Sequence, residues 1–128
     1  MLDASRAPIE LHAEAGAEIV IGDDVRIEGG ASLEAVKSII VGRGARLRAW
    51  CKVIDNHFHI PSDRTARPPS APVVIGEEAD VGERAIVLPG AQLGPGVWLD
   101  AGVVIARRVP AGMLLAGSPP RIVKRVLA

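Results

Sequence analysis

Aromatic side chains are almost missing: the 128 residues include one Phe, two Trp and no Tyr. Any core must be filled by aliphatic groups, and the stacking platforms that hold single-stranded nucleic acid are not on hand. Net charge is missing too, because 15 Lys and Arg offset 15 Asp and Glu. No overall positive field draws a polyanion, so nucleic acid is not an expected partner. With a single cysteine, Cys51, an internal disulfide is excluded. No run of residues has the length and apolarity of a membrane span, and Met1–Glu10 lacks the apolar stretch of a secretory leader, so the expected setting is the cytoplasm. Histidine is scarce as well: His12, His57 and His59 are all there are.

What is abundant is a period. Ile75, Val81, Val87, Leu93, Leu99 and Ile105 are aliphatic at every sixth position, and Ala79, Ala85, Ala91, Val97, Val103 and Val109 occupy the fourth place after each. Helices repeat apolar positions at about 3.6 residues and half-buried strands at about 2, so neither explains a period of six. A parallel β-helix does, because its short strands turn a corner once per repeat. Gly76, Gly82, Gly90, Gly94, Gly96 and Gly102 fall between the aliphatic positions, where turns occur.

Upstream the frame reads Ile9, Ala15, Ile21, Ile27 and Leu33, with small inner slots at Ala13, Ile19, Val25 and Ala31. Lys37 breaks it, and a two-residue insertion resets it to Val41, Leu47 and Val53, with Ala45 and Cys51 in the inner slots. Three hexads per triangular turn predict an all-β prism of about five turns. The segment 59–72, HIPSDRTARPPSAP, lacks the repeat and reads as an excursion loop thrown out from a corner. One domain spans 1–128, with a core so narrow that its faces need cover, and packing against sister subunits is the expected remedy. Charge is polarised: the first 34 residues are rich in acids, whereas Arg107, Arg108, Arg121, Lys124 and Arg125 follow Asp100 with no acid among them.

The stretch from Pro72 to Val126, PVVIGEEADVGERAIVLPGAQLGPGVWLDAGVVIARRVPAGMLLAGSPPRIVKRV, resembles the C-terminal half of the hexapeptide-repeat acyltransferases of the maltose, galactoside and polysaccharide O-acetyltransferase type. Its AGSPPRIVKRV ending is similar to that family's, and VIDNHFHIPSD resembles the segment before the family's excursion. The resemblance implies a left-handed β-helix, a short C-terminal helix at about 119–127, and a homotrimer with acetyl-CoA in the cleft between neighbouring subunits. It also implies transfer of an acetyl group to a hydroxyl or amine of a small polar acceptor such as a sugar.

That chemistry requires a base, because a hydroxyl is a poor nucleophile at neutral pH. By the family pattern His59 aligns with the general base, while His57 either helps to orient it or takes its place. Asp55 or Asn56 would accept a hydrogen bond from the imidazole, although Asp and Asn are equally good turn residues. By resemblance Gly82 and Glu83 line the cleft, where main-chain N–H groups would meet the oxyanion. The cofactor contacts carry over onto Ala101, Ala106, Arg107, Arg121 and Lys124. Glu83, Asp100 and Ala106 depart from the family's common residues there. They leave open a non-catalytic trimeric scaffold, while a γ-class carbonic anhydrase would need a third histidine beside His57 and His59.

Overall fold

The computed structural model describes residues 2–3, 7–56 and 70–125. Its elements are short strands in chain order. The first coil holds β1 (Leu2–Asp3), β2 (Glu10–Ala13) and β3 (Glu18–Ile21), and the second holds β4 (Arg26–Glu28), β5 (Ser32–Ala35) and β6 (Ser38–Val41). The third holds β7 (Arg46–Leu47), β8 (Lys52–Ile54) and β9 (Val73–Ile75), and the fourth β10 (Asp80–Val81), β11 (Ile86–Val87) and β12 (Gln92–Leu93). The fifth holds β13 (Trp98–Leu99), β14 (Val104–Ile105) and β15 (Arg108–Val109). β16 (Met113–Ala116) and β17 (Arg121–Arg125) end the described chain.

Every third strand pairs in parallel, which makes three sheets. Face A runs β1-β4-β7-β10-β13-β16-β17, face B is built from β2, β5, β8, β11 and β14, and face C from β3, β6, β9, β12 and β15. This is the five-turn parallel β-helix that the hexads predict. Two residues per hexad point inward. The aliphatic ladder Ile27, Leu47, Val81, Leu99 and Leu115 stacks inside face A, and Ala31, Ala45, Cys51, Ala79, Ala85 and Ala91 fill the inner corners. All are buried, and among the described residues no buried hydrophobic is aromatic, so this core is filled by aliphatic contacts.

Corners allow close approach only where a Cβ is missing. A Cβ on Gly76 would stand 2.6 Å from the Leu93 carbonyl oxygen and 2.7 Å from the Pro95 nitrogen, both in the coil above. Other corner positions require φ near +60 to +85°, and four are held by non-glycine residues: Asp24, Trp50, Glu78 and Arg84.

The corners differ in one respect. From Ile21 onward, the C-to-A and A-to-B corners separate successive stacked core residues by six positions each time, as in Ile75 to Val81 to Val87. The B-to-C corner instead takes ten positions (Leu11 to Ile21), eight (Leu33 to Val41), 22 (Val53 to Ile75), six (Val87 to Leu93) and four (Ile105 to Val109). Apart from the A-to-B corner of the first coil, which takes nine positions from Leu2 to Leu11, every irregularity of coil length therefore falls on one edge. The two-residue insertion at Val36–Lys37 and the excursion after Asn56 both sit there.

Three details differ from expectation. In the first coil Leu11, not Ala15, stands opposite Leu33, and Leu2, not Ile9, stands opposite Ile27, because the corners of that coil take nine and ten positions. Val109 stands opposite Leu93 in the aliphatic ladder and not in a slot, because the last B-to-C corner is short. The C-terminal helix expected at about 119–127 is replaced over Arg121–Arg125 by β17, which pairs antiparallel with β16. β16 has no further coil above it, so its edge N–H and C=O groups lack a parallel neighbour. A reversal through Gly117, with φ +94°, returns the β-branched Ile122–Val123 onto that edge. Ile122 pairs with Leu115, which is fully buried although faces B and C stop one strand earlier.

Candidate functional site

The excursion leaves from the irregular edge, and its root is tightly held. Asp55 is fully buried, and its carboxylate accepts main-chain N–H groups from the coil below: Val36 at 2.8 Å on Oδ1, and Lys37 at 2.7 Å and Ser38 at 2.6 Å on Oδ2. Asn56 Nδ2 adds a 3.3 Å contact to Oδ1. The inserted corner at Val36–Lys37 turns its N–H groups inward, and the carboxylate one coil above takes the place of the main-chain acceptors a regular corner would supply. The loop is closed at its base by the Asn56–Ser70 bridge and by Ala71 N–H to the Asp55 carbonyl at 2.9 Å. His57 and His59, and residues 59–69 of the excursion, lie outside the described residues.

Above this root the same edge carries Gly90 and then Ala106–Arg107. Gly90 N–H donates to the Ala71 carbonyl at 3.3 Å, and a Cβ on Gly90 would lie 3.8 Å from Ala71 Cβ and 4.0 Å from the Ala106 oxygen. The structure thus brings Asp55, Asn56, Ala106 and Arg107 to one column. The shortened corner sets Ala106 and Arg107 in the coil directly above Gly90. Arg107 and its neighbour Arg108 are exposed.

Gly82, Glu83 and Ala101 occupy the other edge of face B, at the A-to-B corner. Here they line an open cleft of about 280 Å³ together with Arg48, Asp80, Trp98, Leu99, Asp100 and Leu114. Gly82 cannot carry a side chain: a Cβ there would run into the Leu99 carbonyl oxygen and lie 2.7 Å from the Asp100 carbonyl carbon. Glu83 and Asp100 are exposed, and Asp100 Oδ1 accepts the Ala101 N–H at 2.9 Å, capping its own turn. Arg121 is exposed on β17, and Lys124 stands opposite Leu114, a lining residue of the cleft, in the strand register. The two groups of candidate residues therefore flank face B on either side, with β11 and β14 between them.

The floor of the cleft holds a paired ion. Arg48 forks onto Asp80, with Nε to Oδ1 and Nη2 to Oδ2 both at 2.8 Å. The hydrogen bond to Asp80 raises the Arg48 pKa despite some opposing burial. Cys51 lies at the same corner but inside, where burial pushes its thiol up to about 12, so it is a neutral packing group.

Trp98, Arg48 and Asp80 do not figure among the residues that the sequence reading selects. A signal for Trp98 is present: it precedes Leu99 by one, so the alternation of a strand turns it outward. An outward tryptophan in a chain with only two is a candidate contact residue.

Comparison with known proteins accords with this architecture. Residues 72–107 match the family model described as the hexapeptide repeat of succinyl-transferase. The chain is 39% identical over 59 residues to a 2,3,4,5-tetrahydropyridine-2,6-dicarboxylate N-acetyltransferase of Staphylococcus aureus, a match covering 45% of this chain and 25% of that protein. It thus spans about a quarter of that relative's length. Among solved structures, a maltose O-acetyltransferase from Clostridium difficile superposes with a TM-score of 0.79 at 22% identity, over 94% of this chain and 68% of that one. A hexapeptide-repeat-containing acetyltransferase from Vibrio cholerae, complexed with acetyl-CoA, gives 0.80 at 19% identity, over 100% of this chain and 71% of that one. At those identities the likeness establishes the fold, and the short identical stretch establishes the repeat.

Proposed function

We propose that this chain is an acetyl-CoA-dependent acetyltransferase, a cytoplasmic homotrimer that moves the acetyl group to a hydroxyl or amine of a small polar acceptor such as a sugar. The observation that carries the reading is that, from Leu11 onward, the coil-length irregularities gather on one edge of a hexapeptide-repeat prism. That edge joins the root of the His57–His59 excursion to the Ala106–Arg107 corner. The match over residues 72–107 and the acetyl-CoA complex of a structural neighbour support the same reading.

In this reading His59 removes the acceptor proton as the acceptor oxygen or nitrogen attacks the thioester carbon. His57 orients His59 or takes its place. Asp55 gives its carboxylate to Val36, Lys37 and Ser38, so its contribution is to fix the point from which the histidines depart. Asn56, whose amide contacts Asp55, holds the same root. Main-chain N–H groups near Gly82 and Glu83 would face the tetrahedral oxyanion. Collapse of the intermediate breaks the carbon–sulfur bond, and the departing thiolate takes the proton from the imidazolium. Arg107, Arg121 and Lys124 would pair with the cofactor phosphates, while Ala101 and Ala106 let the pantetheine arm approach the backbone.

The test is a titration of the purified chain with acetyl-CoA by calorimetry at two salt concentrations, followed by a CoA-release screen over sugar and amine acceptors. Binding that weakens with salt, together with acceptor-dependent CoA release, is the expected result. Absence of binding at millimolar acetyl-CoA would sink the reading.

A further inference from the structure

Two tryptophans are half-exposed, and among the described residues only one has a seat made by packing. The Trp50 ring lies across Gly30 of the coil below, where a Cβ would come within 2.5 Å of the indole. Glycine at position 30, with φ +84°, is what admits it. Trp98 has no such seat among the described residues. It stands at 45% exposure in the outward column of face A, between Asp80 and Leu114 in the strand register.

Trp98 is also where two depressions meet. One is the cleft with Gly82 and Ala101; the other lies toward Arg26 and Arg46, and only Asp80 and Trp98 line both. In the first, Leu114 and Ala101 add apolar surface, and the charge beneath the indole is neutralised by the fork of Arg48 on Asp80. Glu83 and Asp100 add two exposed carboxylates at the rim, so the lining is an apolar strip of Trp98, Leu99, Ala101 and Leu114 beside fixed polar groups, a mixture found in small-molecule sites. An indole beside it offers a large, rigid contact at low entropic cost.

We infer that Trp98 is a cosubstrate-binding residue: its indole is the apolar wall against which the acyl-CoA arm lies, opposite the Gly82 and Ala101 corner. This rests on the acetyltransferase reading and adds to it a contact residue and a side of the cleft. The occupant is an acyl-CoA because the residues across the cleft are those that the hexapeptide-repeat resemblance assigns to acetyl-CoA, and because a structural neighbour is held in complex with it.

The chain has only two tryptophans, so Trp50→Phe leaves Trp98 as the one emitter. Titrating that variant with acetyl-CoA is expected to shift and quench its emission with saturation. Trp98→Ala is expected to weaken acetyl-CoA binding by about 10- to 100-fold in calorimetry while leaving thermal unfolding unchanged. If acetyl-CoA binds the unmodified chain but Trp98 emission does not move and Trp98→Ala binds equally well, the inference fails and the acetyltransferase reading stands. If emission responds only to dilution of the oligomer, a neighbouring subunit covers the indole and the inference again fails. If acetyl-CoA does not bind the unmodified chain at all, both fall together.

Discussion

Arg48 reaches diagonally back to Asp80, whose register partner is Arg46, and the two form a bidentate pair, two 2.8 Å hydrogen bonds holding adjacent coils at the corner where the cleft opens. The Asp80 side chain is the more buried of the two, at 13% exposure against 37%. Removing the arginine therefore costs more than removing a surface partner would. In a double-mutant cycle with Arg48→Ala and Asp80→Ala, the coupling is expected at about 1 kcal/mol, between an exposed pair and a buried charged hydrogen bond. Arg48→Lys should recover under half of it, because an ammonium cannot form the fork. Denaturant midpoints at constant slope would read the result, and a coupling near zero would show that solvent screens the pair.

Asp55 is the costliest polar side chain to lose. Its carboxylate answers three main-chain donors that no other acceptor replaces in this corner. Asp55→Ala is expected to destabilise by about 3 kcal/mol or more, and Asp55→Asn by roughly half as much, since one oxygen is retained. Chemical unfolding gives the magnitude. A loss of catalysis without a loss of stability would instead assign Asp55 to the chemistry.

Cys51 supplies a pH test. Its thiol rises from an ordinary 9.0 to about 12 because burial disfavours the thiolate. The unfolded chain then loses the proton first as pH rises, so Cys51 erodes stability between about pH 9 and 12, by up to about 1.4 kcal/mol per pH unit. Below pH 9 it contributes no slope. Unfolding of Cys51→Ala against the parent across that window should isolate the slope. Thiol alkylation at pH 8 should proceed only after denaturant is added.

Two glycine substitutions separate crowding from backbone strain. Gly76→Ala drives a methyl into the main chain of the next coil, with nothing flexible to move aside. Gly102→Ala meets no atom within 4 Å but holds φ +75°. The first should cost about 3 kcal/mol or more by forcing the coils apart, and the second about 1 kcal/mol from the left-handed backbone alone. Equal losses in thermal unfolding would contradict the stacking account.

For the catalytic reading, His59→Ala should lower turnover by about 10²–10⁴-fold with little effect on acetyl-CoA affinity, while Arg121→Ala should chiefly weaken binding. A larger turnover loss in His57→Ala would reverse the roles of the two histidines.

Much of the fold is legible in the sequence because a hexad needs only two inward residues and a turn. Ile75, Val81, Val87, Leu93, Leu99 and Ile105 are buried where the period places them. The period fails where chain length changes at a corner without changing composition. Ile9 and Ala15 keep phase by count, yet Leu11 is the residue stacked on Leu33. Val109 likewise moves from slot to ladder because its corner loses two residues. The terminal strand is invisible to local pattern, since what turns Arg121–Arg125 into β17 is the unpaired edge of β16. Of the candidate site, the two flanking groups are legible through resemblance. The buried role of the Asp55 carboxylate is not, because it depends on an insertion one coil below.

A three-sided winding also constrains how such a chain can change its length. One extra hexad ahead of Asp80 would rotate everything above it by roughly a third of a revolution and carry Trp98 onto a different side. Three hexads would only lift it along the axis, by about 4.8 Å. Beyond the first coil, two edges of the prism keep the six-position spacing throughout and thus admit insertions only in whole revolutions. The third already absorbs four, eight, ten or 22 positions without disturbing the index of its neighbours, so it is the one place where segments of new specificity can be grafted while the rest of the molecule stays in register.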